Sequence, residues 1–303
     1  MNTQLRFLDP EILSKISGME LLARTVVEGF LSGLHRSPYK GFSVEFAEYR
    51  QYTPGDDPRH IDWKVYGRSD RYYVKEFEEE TNLHCHILFD LSGSMSGTSG
   101  KKPAARLSKF SYATYLASSL AYFIFMQRDA VGFVAYDQEV RLHIPAKARA
   151  GHLHHILTEL EKLRPGTNVK EQPQVLDKGA ESFRRKGMVI LISDLFGDVE
   201  PLTRALEHLR FRGHDVIVFQ IMDEFELNFD FTQMTRFLGL EGEAPIVALP
   251  QAMREGYLKN LHKHLDAIKQ TCGVNRVDYT LLTTNQPLDF ALQAYLAARS
   301  GKM

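Results

Sequence analysis

Three apolar runs of strand length constrain this chain more than any other feature: "LHCHILFD" (83–90), "GMVILISD" (187–194) and "HDVIVFQIMD" (214–223). Stretches such as Val-Ile-Leu-Ile and Val-Ile-Val-Phe do not alternate with polar residues, so they read as strands covered on both faces. "AVGFVAYD" and "VRLHIPAK" read as two more strands joined by a tight turn at Asp137-Gln138-Glu139, and "VDYTLL" as another. Between them lie helical patterns over 103–128, 150–163, 170–186, 200–211, 250–271 and 287–299. Strands alternating with helices predict an α/β, doubly wound, mainly parallel sheet. A further helix is expected over 9–35, opened by Asp9-Pro10 and closed by Gly33 and Pro38. A small hairpin is expected near 233–249, turning at Glu241-Gly242.

Ligands of such sheets bind beyond the carboxyl ends of the strands, where strand order reverses. The first apolar run ends at Asp90 and continues as Leu91-Ser92-Gly93-Ser94, a D-x-S-x-S pattern. The second ends at Asp194, and Thr167 lies between them in "RPGTN". If both strands are parallel members of one sheet, Asp90 and Asp194 emerge at one edge. Two carboxylates and three hydroxyls form an oxygen set of the kind hard cations take, with waters filling the rest of the shell. Extended backbone would turn the Ser92 and Ser94 hydroxyls to the same side, and Gly93 between them permits a close approach. Taken alone, D-x-S-x-S is a weak signal, because small polar residues after a strand usually just make a turn. A serine-nucleophile reading fails on Met95, which occupies the centre of "GSMSG" where a nucleophile elbow needs serine.

These residues resemble the metal-ion-dependent adhesion site of von Willebrand factor A domains, over roughly residues 80–300. Upstream, "EFAEYRQYTPGDDPRHIDWKVYGRSDRYYVKEFEEETN" resembles the signature of the domain of unknown function 58 family. The resemblance implies a von Willebrand factor A (Rossmann-like) domain at 81–303 after an N-terminal helical and β extension at 1–80. It implies a metal site on Asp90, Ser92, Ser94, Thr167 and Asp194, holding Mg²⁺, with Mn²⁺ or Ca²⁺ as alternatives. It also implies a MoxR-type AAA+ ATPase as partner and a role as adaptor toward a target protein. Many members carry an N-terminal hydrophobic anchor, and none is legible here.

Within the signature, "RQYTPGDDPRHIDWK" concentrates Arg50, Gly55, Asp56, Asp57, Arg59, Asp62 and Trp63. Arginine forks match carboxylates in a bidentate manner, so Arg50 or Arg59 on Asp56, Asp57 or Asp62 would lock this loop. Trp63, the single tryptophan, would anchor it in the core or centre an interface. A structural clamp is the favoured reading over direct partner contact.

The remaining features mostly exclude. A net charge of -1 provides no bulk field for nucleic acid. Cys85 and Cys272 make no metal or disulfide pattern and suit a reducing compartment. No run of 18 apolar residues predicts a membrane span, so a cytoplasmic protein is expected. No Walker A sequence is present, and no catalytic constellation is legible. Metal-dependent protein binding is therefore the expected function. The alternatives are a metal-dependent phosphoester hydrolase, for which Lys101 and Lys102 would be the candidate phosphate grips, and a structural subunit with an empty site.

Overall fold

The computed structural model of the 303-residue chain describes residues 18–34, 49–51, 66–67, 72–75, 83–97, 107–166, 183, 185–231, 233–240 and 244–300. In chain order the elements are helix α1 (Met19–Leu34), strands β1 (Tyr49–Gln51), β2 (Tyr73–Lys75) and β3 (His84–Asp90), helix α2 (Lys109–Met126), strands β4 (Ala130–Tyr136) and β5 (Val140–Lys147), and helix α3 (Ala150–Lys162). There follow β6 (Met188–Ser193), α4 (Val199–Phe211), β7 (Asp215–Met222), α5 (Glu224–Asn228), β8 (Thr235–Phe237), β9 (Ile246–Ala248), α6 (Pro250–Val274), β10 (Asp278–Thr283) and α7 (Asp289–Ser300).

Six strands form the central sheet in the order β10-β7-β6-β3-β4-β5. All neighbours are parallel except β4 and β5, which are antiparallel. This is the doubly wound α/β architecture expected from the alternation of elements. From β3 the chain moves outward to β4 and β5, then returns to the other side of β3 for β6 and β7. Strand order therefore reverses between β3 and β6, and sheets of this kind bind ligands beyond the carboxyl ends of the strands at such a reversal.

Side-chain period 2 divides the sheet between two cores. Ile87, Phe89, Phe133, Ile190, Ile192, Phe219 and Ile221 face one layer, built with Leu116, Leu120, Phe123 and Ile124 of α2. Leu88, Val134, Val189, Leu191, Val216 and Val218 face the other, built with Leu202, Leu206 and Leu209 of α4 and Ile268 and Cys272 of α6. Each such large apolar side chain contributes on the order of 1.5–3 kcal/mol by leaving water.

Helix α2 is the buried spine of the first layer. Ser108 caps it, its hydroxyl accepting from the Ser111 amide at 3.1 Å. Ala113, Ala117 and Ala121 are fully buried, consistent with close approach to its neighbours. Helix α1 joins the same core through Val26, Val27 and Phe30, the last meeting Phe123 edge to face at 6.0 Å. Of the helix expected over 9–35, residues 19–34 are described and helical. Of the helix expected over 170–186, residues 183, 185 and 186 are described and are not helical; its other residues and the segment around Pro103 lie outside the described residues.

The sequence reading did not anticipate β1, which pairs antiparallel with β2, or α5. Helix α5 is only five residues long, too short for a periodicity, yet Asp223 and Glu226 close a full capping box around its start. Among the described residues no helix is long and apolar enough to cross a membrane. Cys85 and Cys272 are both free and buried.

Candidate metal centre

Asp90 and Asp194 emerge side by side, because β3 and β6 are parallel neighbours paired from Cys85↔Met188 to Phe89↔Ile192. Both are buried, at 2% and 1% exposure, and they lie at the point of strand-order reversal. The Asp90 carboxylate accepts from the Ser92 amide at 2.7 Å and, through its other oxygen, from the Ser193 hydroxyl at 2.5 Å. Burial, and then the negative charge of Asp194, hold the Asp90 carboxyl above its ordinary range, against the opposing hydrogen bonds from Ser193 and Ser92.

The Ser92 and Ser94 hydroxyls lie 3.0 Å apart, so the two do converge. The route differs from the extended backbone expected. Ser92 is extended, but residues Gly93–Ser96 wind into a 3₁₀ turn, closed by Met95 N–H to Ser92 O at 3.2 Å and Gly97 N–H to Ser94 O at 3.0 Å. Met95, fully buried, pins the turn into the core. Gly166 presses on the same loop, its N–H donating to the Leu91 carbonyl at 2.6 Å. Thr167 lies outside the described residues. So do Gly55, Asp56, Asp57, Arg59, Asp62 and Trp63. Arg50 falls within β1, and its side chain is not described.

Asp194 is held from several directions. Its Oδ1 accepts from Phe196 N–H at 3.2 Å, and its carbonyl accepts from the Gln220 amide at 2.9 Å. Tyr279 steadies that glutamine by donating to its Oε1 at 2.7 Å. The next residue, Leu195, has φ +52°, a left-handed conformation that costs a non-glycine residue free energy and clusters at functional sites.

The residue that sequence reasoning missed is Lys109. Its ammonium donates to Asp194 Oδ2 at 2.8 Å and to Glu226 Oε1 at 2.6 Å, with the side chain only 2% exposed. Burial alone would lower its pKa, but Asp194 and Glu226 together raise it, so the lysine is firmly charged. A signal was present in the sequence: Lys109 is the lone charge in the eighteen residues of α2. Such a charge in an otherwise buried helix needs a buried partner.

The donor set suits a hard divalent cation. All four described positions offer oxygen, and the Asp90–Asp194 repulsion is what a cation would relieve. Among the described residues no group of three or more His, Cys, Asp and Glu side chains is placed to hold a metal. The set here has two carboxylates, its other members being hydroxyls.

Residues 48–266 match the family described as "Protein of unknown function DUF58", and the chain belongs to that family. It is 25% identical over 218 residues to "Uncharacterized protein Rv1480" of Mycobacterium tuberculosis, and equally to "Uncharacterized protein Mb1516" of Mycobacterium bovis. Those matches cover 71% of this chain and 66% of the relatives, just under two thirds of their length. Among solved structures it is similar to the conserved hypothetical protein BatB from Bacteroides thetaiotaomicron, at 16% identity and TM-score 0.48, over 72% of this chain and 99% of that one. It is also similar to the SpRpn10 VWA domain, at 13% identity and TM-score 0.38, over 69% and 93% of the two chains.

Proposed function

We propose that this chain is a protein-binding module whose carboxyl-edge site holds a divalent cation, Mg²⁺ in first place. Asp90, Ser92, Ser94 and Asp194 would hold it, with Thr167 as the fifth residue of the set. The bound ion would supply a hard, positively charged centre for an Asp or Glu side chain of a partner. The observation that carries this reading is the convergence of two buried, mutually repelling carboxylates and two hydroxyls at the strand-order reversal.

The partner system rests on the family resemblance alone. A MoxR-type AAA+ ATPase would be one partner and its target protein another, with this chain as adaptor in the cytoplasm. Lys101 and Lys102, the phosphate grips of the hydrolase alternative, lie outside the described residues, and Lys109 is engaged by two carboxylates rather than presented to a phosphate.

The test is affinity capture of a MoxR-type ATPase on the immobilised protein in Mg²⁺, in EDTA, and with Asp90→Asn. Retention in Mg²⁺ alone, lost in the variant, is expected. Equal retention under all conditions would remove the metal bridge from the reading even if the partner is right.

A further inference from the structure

The position of Lys109 is costly by itself. It lies in the first turn of α2, the end of a helix where the aligned peptide dipoles disfavour a cation. It is also buried, where an uncompensated ammonium would be far more costly than at the surface. Two carboxylates offset both costs. One of them, Asp194, also belongs to the set proposed for the metal.

We propose that Lys109 is a tethered competitor for the cation: its ammonium neutralises Asp194 when no metal is bound, and Glu226 retains it when a metal takes that oxygen. This rests on the metal-site reading above. Three features point to the exchange. The oxygen at issue, Asp194 Oδ2, is the one Lys109 holds, while Oδ1 is engaged by Phe196 N–H. The second seat is already built: Glu226 is oriented by accepting from Asp223 N–H at 2.8 Å, a contact independent of Lys109. Charge points the same way: Asp90, Asp194 and Glu226 carry three carboxylates against the single ammonium of Lys109, an excess that a divalent ion would reduce. The lysine makes the empty site tolerable and keeps the affinity for free metal low.

The experiment titrates the full chain with Mn²⁺ and follows the free ion by electron paramagnetic resonance. Lys109→Met is expected to bind Mn²⁺ at least about tenfold more tightly than wild type, since a like charge a few ångströms from the ion has gone. Glu226→Gln is expected to bind at least about threefold more weakly, because Lys109 then has Asp194 as its remaining anchor. Equal or weaker binding by Lys109→Met, or unchanged or tighter binding by Glu226→Gln, overturns the proposal. If Lys109→Met fails to fold, Glu226→Gln decides alone. Wild-type binding that Asp90→Asn removes but Lys109→Met leaves unchanged overturns the competition and spares the metal site. No binding by any form overturns both.

Discussion

At the carboxyl edge of the sheet Asp90, Asp194, Glu226 and Lys109 are drawn together as charges, and ion pairs and backbone amides satisfy them. At the amino edge His86 and His214 are also buried, and burial lowers the pKa of both. They lie against Phe183, His86 stacked at 3.9 Å and His214 edge-on at 5.9 Å. The Nδ1 atoms of both histidines lack a hydrogen-bond partner among the described residues. One end of the same sheet keeps charge by pairing it, and the other keeps imidazole by removing its charge. On the proposal above, the first would exchange one cation for another. At the second, burial outweighs the one nearby carboxylate, Asp215 beside His214, and disfavours the charged imidazole.

The largest expected effect breaks the charged end. In EDTA, Lys109→Met should lose about 3–5 kcal/mol of stability in denaturant unfolding, the usual cost of leaving buried carboxylates without their partner. Saturating Mg²⁺ should restore much of it. A loss below about 1 kcal/mol would mean that the carboxylates at this edge do not depend on the lysine.

The neutral end breaks with acid. Burial first, then repulsion from His214, His84 and His143 when they are protonated, lower the His86 pKa to about 3. Its folded value thus lies below the unfolded one of about 6.5, so its contribution is complete above pH 6.5 and is lost as pH falls toward 3. His214 is lowered in the same direction, again by burial first. Stability should therefore drop by on the order of 3 kcal/mol from this source between pH 6.5 and pH 4. His86→Leu should flatten that slope; an unchanged slope would place the acid sensitivity elsewhere.

The smallest effect sharpens the comparison at the rim of the charged end. Tyr279→Phe removes the hydroxyl that steadies Gln220, which in turn holds the Asp194 carbonyl. A loss of about 1 kcal/mol is expected, measured by thermal unfolding. No loss at all would show that the Asp194 loop is held by Lys109 and Phe196 without help from Gln220.

Much of the fold was legible because Val-Ile-Leu-Ile and Val-Ile-Val-Phe have few alternatives: such runs, spaced by helices, require a covered parallel sheet. The meeting of Asp90 and Asp194 followed from that, since parallel neighbours end at the same edge. Lys109 was harder to place. Its isolation in α2 is visible in the sequence, but its partner Glu226 lies 117 residues away on a helix too short to announce itself. The histidine pair was hidden for a similar reason. His86 and His214 sit at the starts of strands separated by β6, so only the sheet order and the interposed Phe183 make them neighbours. The 3₁₀ turn at Gly93–Ser96 shows that a motif can identify which hydroxyls converge while leaving the backbone path open.

The antiparallel strand β5 carries one more consequence. It ends the sheet on one side with Arg141, Pro145 and Lys147 exposed, and its pairing with β4 is broken by two register shifts. Charge, proline and bulges are the devices that stop a sheet from recruiting a further strand. A partner peptide is thus discouraged from zipping onto this border, as is a second copy of the chain. On the proposed reading, recognition would fall instead to side chains at the ends of the strands, where a single carboxylate can be chosen among many.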